Sequence, residues 1–471
     1  MKLYLPASPR TSFMLSIYSI TLVSGLILFA RTEQMTCYPY ENWWINTGHM
    51  IYHVEEPYWI ATGFYCASLV TKGDFSWDAW KEMDGATNMQ LGKLLIGMPL
   101  RALGKNESYE FYTWDRTPDE NQREGRLPPQ DTMLAARKVS AVFSIGCCVA
   151  LFILGASCTN RPIGFIAWAL LISNATFLKW GSQARVDFHY IFFLLCLPLT
   201  ALLLIWSIGK SRFLYFSCLM GAEAGLACSV KITGLTLGML FFISLLVYLH
   251  SIHAIRMRTL LPCLVLFSTT SLAVVYSLNP LFWPSLDKIE LPLLRKEIRS
   301  FIRDTVVHHN PPRDFEQLQE RYAQLSHLAH PLEFPAMPGR WNRIMEGQIA
   351  TMGPGWQSNR YRYRAFHETL LFRLCTFRYE WIFLCIGFIV CASRTLHSVR
   401  EKRITLWSIP LLYFLANYLF ILMFMKLNWP RYYLPTLIAG KIIIAVGIYA
   451  TLSLIIHYAR RMVPESKLRQ Q

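Results

Sequence analysis

Ten apolar runs, most of them long enough to cross a bilayer, constrain this chain more than any other feature. They fall at 12–30, 135–157, 162–178, 188–208, 213–229, 232–249, 259–279, 378–393, 404–425 and 433–457. A hydrocarbon core about 30 Å thick needs about 20 apolar residues as helix, and only closed helices or barrels satisfy their backbone there. The stretch 213–249 is too long for one crossing at about 1.5 Å per residue. Ser229, Lys231 and Gly234 interrupt it where a hairpin turn is expected. The expected fold is therefore an all-α polytopic membrane protein, a single bundle of about ten transmembrane helices with both ends on one side. The run at 12–30 follows Lys2 and Arg10 without a clear cleavage site, as an uncleaved signal anchor does.

Charge gives the sidedness. The chain carries +16 with 16% charged residues, below the roughly 25% of soluble domains. The pieces assigned to the cytoplasm hold fifteen Lys or Arg, from Lys2 to Arg469, against two acids, Glu401 and Glu465. Residues 31–134 instead hold 9 bases and 15 acids. Basic loops stay inside, so much of the +16 is topological and nucleic acid is not an expected partner. The expected location is the cell (inner) membrane. Residues 31–134 and 280–376 would form two extracytoplasmic loops, the first with interfacial helices near 59–70 and 91–103, the second as a lid or acceptor-binding surface.

Four polar groups then share the outer side. Glu55 and Glu56 stand between aromatic residues in Val54-Glu55-Glu56-Pro57-Tyr58-Trp59, followed by Asp84 and by Leu91-Gly92-Lys93. Gln183-Ala184-Arg185-Val186-Asp187 forms a short turn, as do Ser229-Val230-Lys231 and Trp429-Pro430-Arg431-Tyr432-Tyr433. Cations gathered at an interface suit a phosphate or pyrophosphate, and a carboxylate pair suits removal of a hydroxyl proton. Each group also has a plainer explanation. The glutamates could be ordinary acids of a solvated loop. Lys93, Lys231 and Arg431 could be snorkelling helix-end residues, and Arg185 with Asp187 a local ion pair. Glu223, inside the 213–229 run, could pair with a neighbouring helix, and the residues give it no specific role. Asn106-Glu107-Ser108 fits a glycosylation sequon.

Ten of the 12 cysteines lie in or beside apolar segments, with no CxxC and no Cys/His cluster of metal spacing, so neither a disulfide framework nor a zinc site is indicated. The adjacent His308 and His309 lack further ligands for a metal.

In order and spacing these motifs resemble polyprenyl-phosphate-dependent glycosyltransferases of the GT-C fold, particularly the protein O-mannosyltransferase and aminoarabinose-transferase group. Glu55-Glu56 stands where that family has Asp-Glu. Leu91-Gly92-Lys93 is similar to the second half of its His-Pro-Pro-Leu-Gly-Lys. Gln183 to Asp187, Ser229 to Gly234 and Pro430-Arg431-Tyr432 are similar to its later motifs. The departures are Glu for the first Asp, the missing His-Pro-Pro, and the closeness of Arg185 to Asp187.

The resemblance implies an integral membrane glycosyltransferase that moves a sugar from a polyprenyl or dolichyl phosphate to an acceptor protein, lipid or glycan on the extracytoplasmic face. Glu55 and Glu56 would be catalytic. Lys93, Arg185, Lys231 and Arg431 would bind the donor phosphate, with Asp84, Asp187 and Tyr432 in support. No cofactor is required; a divalent metal could assist, but no motif indicates one. The rival class is a transporter or flippase for a lipid or small solute, which explains the spans but not the concentration of acids and bases at one face.

Overall fold

The computed structural model describes residues 10–36, 55–76, 79–80, 89–105, 123–280, 379–424 and 433–462. Asp84, the Asn106 sequon, His308, His309, Arg431 and Tyr432 lie outside the described residues, as does the loop expected at 280–376 apart from Pro280.

Thirteen helices make up the described residues. α1 (Arg10–Thr36) is followed by the hairpin partners α2 (Glu55–Lys72) and α3 (Gln90–Ala102), then by α4 (Gln130–Cys158), α5 (Arg161–Ile172) and α6 (Ala175–Gly181). Next come α7 (Asp187–Trp206), α8 (Arg212–Val230), α9 (Thr233–Ser251) and α10 (Met257–Leu278). α11 (Glu380–Glu401), α12 (Ser408–Phe424) and α13 (Leu434–Met462) complete the bundle. By length and composition eight of these qualify as membrane spans: α1, α4, α7, α8, α9, α10, α11 and α13.

The expected run at 162–178 is not one straight helix. It breaks into α5 and α6, bent by 68°. No proline causes the bend. Asn174 ends one helix and caps the next, its Oδ1 accepting from Phe177 N at 2.9 Å, so the broken backbone stays satisfied away from water. Two contacts show that the bent pair still crosses. Arg161, at its start, donates to Ser12 Oγ at 2.7 Å, while Ser182, just past its end, donates to Met35 Sδ at 3.3 Å. Ser12 and Met35 are 23 residues apart on α1, about 35 Å of helix.

The same reasoning applies to α12, which is short for a span at 17 residues. It begins beside Thr405, whose N–H donates to Tyr248 near the C-terminal end of α9 at 3.0 Å. It is followed by α13, whose Lys441 pairs with Glu380 at the start of α11 at 2.6 Å. α11 in turn ends on the Tyr248 side, where Ser398 Oγ lies 2.8 Å from the Tyr248 hydroxyl. α12 therefore also connects the two ends of the bundle.

Apolar side chains point outward as well as inward. Leu22, Leu26, Leu261 and Ile389 are each more than 60% exposed, as suits helices solvated by lipid. Packing between helices then depends on close backbone approach rather than on a hydrophobic drive. In the α2–α3 hairpin Gly63 meets Gly97, and a Cβ on Gly97 would fall 1.9 Å from the Gly63 carbonyl oxygen. The two expected interfacial helices are thus present, but packed on protein. Trp59 and Trp80 are buried rather than displayed at headgroup level, because the hairpin lies against α4 and α8.

Candidate functional site

One end of the bundle collects the charged groups. Glu56, in the first turn of α2, is fully buried and gripped by Arg137 of α4. Arg137 Nε donates to Oε1 at 2.8 Å and Nη2 to Oε2 at 2.9 Å, a forked pair with both side chains sealed from solvent. The Ala184 N–H adds a third bond to Oε1 at 2.8 Å. Glu56 is therefore committed three times over. Its neighbour Glu55 opens α2, and its side chain lies outside the described residues.

The Ala184 bond ties this acid to the next residue in the chain, Arg185. Arg185 Nε lies 3.1 Å from Asp187 Oδ2, and its guanidinium stacks 4.6 Å above the Trp180 ring. The local ion pair weighed from the sequence is therefore real, and it has a third member. Lys231, at the turn between α8 and α9, pairs with the other oxygen of Asp187 and lies 5.9 Å from the centre of the Tyr190 ring. Arg185 and Asp187 are buried, whereas the Lys231 side chain keeps 24% of its surface.

Lys93 is buried on α3. Its neighbour Gly92 threads between the two turns: a Cβ there would lie 2.9 Å from Val186 and 3.4 Å from Val230. A side chain there would push first on Val186, so glycine lets α3 pass close to that turn. On its other flank Lys93 acts on Cys66 of α2. Burial pushes the Cys66 thiol up, and the Lys93 charge opposes that shift. Asn279, at the end of α10, fastens the start of α3. Its Oδ1 accepts from Gln90 N at 3.0 Å while its Nδ2 donates to Ser229 Oγ at 3.1 Å.

Two features of this site escaped the sequence reading. Arg137 sits in the apolar run 135–157, where a cation within a span signals that an acid must face it, and it is buried. Asn279 gave no signal beyond its proline neighbour. Glu223 accepts a 2.6 Å bond from Thr200 of α7, so its partner is a neighbouring helix and not the charged cluster. Among the described residues, no group of three or more His, Cys, Asp or Glu is placed to hold a metal ion.

Fold and site together define a multi-pass membrane protein with a buried, charge-paired cluster at one end of its bundle. No family model matches the sequence, and no curated protein matches it. Among solved structures the chain is similar to ArnT from Cupriavidus metallidurans in the apo state, with a TM-score of 0.47 and 11% identity over 98% of this chain and 62% of that one. It is similar also to the archaeal oligosaccharyltransferase AglB from Archaeoglobus fulgidus in complex with an inhibitory peptide and a dolichol-phosphate, with the same score and identity over 97% of this chain and 53% of that one. The chain thus spans between about half and three fifths of those proteins. At that level the likeness transfers no residue role, and the chemistry must come from the side chains themselves.

Proposed function

We propose that this protein is an integral membrane glycosyltransferase, using a polyprenyl (or dolichyl) phosphosugar as donor and acting on the extracytoplasmic face. The observation that carries this reading is the single backbone bond from Ala184 to Glu56, which joins the acidic pair to the Arg185–Asp187–Lys231 cluster. Acid and cations thereby occupy one end of the bundle. The basic tips Arg161, Lys210, Arg212, Arg256 and Arg403 lie toward the other end, the side that basic loops mark as cytoplasmic.

The charges suit such a donor. Arg185 and Lys231 bring two cations to this end of the bundle, where a phosphodiester would bring a single negative charge. As the bond from the anomeric carbon to the phosphate oxygen breaks, that oxygen keeps the electron pair and the phosphate gains a second charge. Lys93 and Arg431 are the further cations assigned to it, and pre-placed charges act most strongly where water is excluded. The acceptor hydroxyl attacks the anomeric carbon and gives its proton to Glu55. Glu56, its oxygens occupied by Arg137 and Ala184, holds the start of α2 in place. Asp84 and Tyr432 are assigned supporting roles, and the acceptor is a protein, lipid or glycan hydroxyl. The chemistry needs no cofactor.

The test is transfer from a radiolabelled polyprenyl-phosphate sugar by purified protein in proteoliposomes. Glu55→Gln keeps the shape but cannot take a proton, and should lower the rate about 100- to 10,000-fold while the protein stays folded. Transfer at the unmodified rate would remove Glu55 from the mechanism.

A further inference from the structure

Beneath the charged cluster lies a second set of polar groups that the reaction above does not use. Ser140 Oγ, Gln183 Oε1, His189 Nε2, Tyr413 Oη, Asn417 Oδ1 and Thr436 Oγ1 are buried without hydrogen-bond partners. Each of the six side chains is at most 2% exposed. An unpaired buried polar atom costs about 1–3 kcal/mol, and native proteins keep few of them without a reason.

Their placement is shared. Ser140 stands on α4 between Arg137 and Ser144, and Ser144 donates to Gly181 O at 2.9 Å, so Ser140 runs along the turn that contains Gln183. The His189 ring lies tilted against that of Phe143 on α4, with centroids 4.0 Å apart. Tyr413 and Asn417 are one turn apart on α12, and Thr436 is in the first turn of α13. Both α12 and α13 pack against α4 and α7. The Tyr413 hydroxyl has Tyr190, the Asn417 side chain, Cys147 and Cys196 as electrostatic neighbours, although it makes no hydrogen bond of good geometry with Asn417. Tyr190 in turn bonds to Thr233 at 3.0 Å and lies against Lys231.

Their chemistry is shared too. His189 Nδ1 lies 3.1 Å from the Arg185 carbonyl oxygen, which can only accept, so Nδ1 carries the proton and Nε2 is a bare acceptor. Asn417 uses its NH2 group on the Tyr413 carbonyl at 2.8 Å, leaving Oδ1 as a second acceptor. Gln183 Oε1 is a third. The other three are hydroxyls, and none of the six is a cation. Such a set brings no cation to an anion, and would have all of its polar atoms left unsatisfied by an apolar chain. It matches a neutral ring bearing several O–H donors.

We infer that these six side chains form the subsite for the sugar ring of the lipid-linked donor, below the cations that take its phosphate. The inference rests on the function proposed above. Sugar discrimination then resides in α4, α7 with the turn before it, α12 and α13, and not in the acidic pair.

The experiment measures binding to the detergent-solubilised full chain of polyprenyl phosphate bearing mannose, glucose or aminoarabinose, and of the same phosphate without sugar. The unmodified protein should bind at least one sugar-bearing lipid more tightly than the bare phosphate. Tyr413→Phe and Thr436→Val nearly conserve shape and each removes one hydroxyl. Each should reduce that preference about tenfold while leaving affinity for the bare phosphate unchanged. An unchanged preference in both variants overturns the subsite, as does equal weakening of both ligands. Binding of bare phosphate with no sugar preference overturns the subsite alone. Binding of neither ligand by the unmodified protein overturns the proposed function along with it.

Discussion

Replacing Arg137 with Met tests the buried clamp most directly. Arg137 gives Glu56 two charge-assisted bonds, at 2.8 and 2.9 Å, beside the 2.8 Å bond from the Ala184 N–H. Each such bond is worth about 1.5–3 kcal/mol, so the pair contributes about 3–6 kcal/mol against a state in which Glu56 has lost both. That agrees with the roughly 3–5 kcal/mol measured when one partner of a buried pair is removed. Water cannot offset the loss, because neither side chain is more than 1% exposed. Arg137→Lys keeps the charge but not the fork, and should lose about half as much. The decisive comparison is the double variant Glu56→Gln with Arg137→Met, which strands no charge. It should be at least about 2 kcal/mol more stable than Arg137→Met alone. Unfolding in mixed SDS–detergent micelles, followed by circular dichroism, gives the stabilities of the unmodified protein, the three single variants (Arg137→Met, Arg137→Lys and Glu56→Gln) and the double variant. The reasoning fails if Arg137→Met matches the unmodified protein, or if the double variant shows the plain sum of its two single losses.

Gly97→Val should disrupt the α2–α3 hairpin, because its Cβ would fall 1.9 Å from a backbone oxygen that no rotamer change can move. A loss of more than about 2 kcal/mol in the same assay is expected, and a neutral result would refute the close approach. Sidedness is read by an impermeant thiol reagent. Cysteine at exposed Ser76 should label in intact, wall-stripped cells, and cysteine at exposed Ser211 only after permeabilisation. The reverse pattern would place the site on the cytoplasmic side.

The helices were legible because crossing a bilayer is a local demand: each run of apolar residues must close its own backbone hydrogen bonds. For the same reason the turn at Ser229, Lys231 and Gly234 could be located, and α8 does end at Val230 with α9 starting at Thr233. The ion pair of Arg185 with Asp187 was also readable, since its members are two residues apart. The bend at Asn174 was not, because hydropathy averages over a window and a polar cap for a second helix looks like one more tolerated residue. Nor could any pattern along the chain pair Glu56 with Arg137, 81 positions away, or Gln90 with Asn279, 189 away. A sequence reports how costly a buried charge would be. Which opposite charge offsets that cost depends on which helices become neighbours, and only the packed bundle decides that.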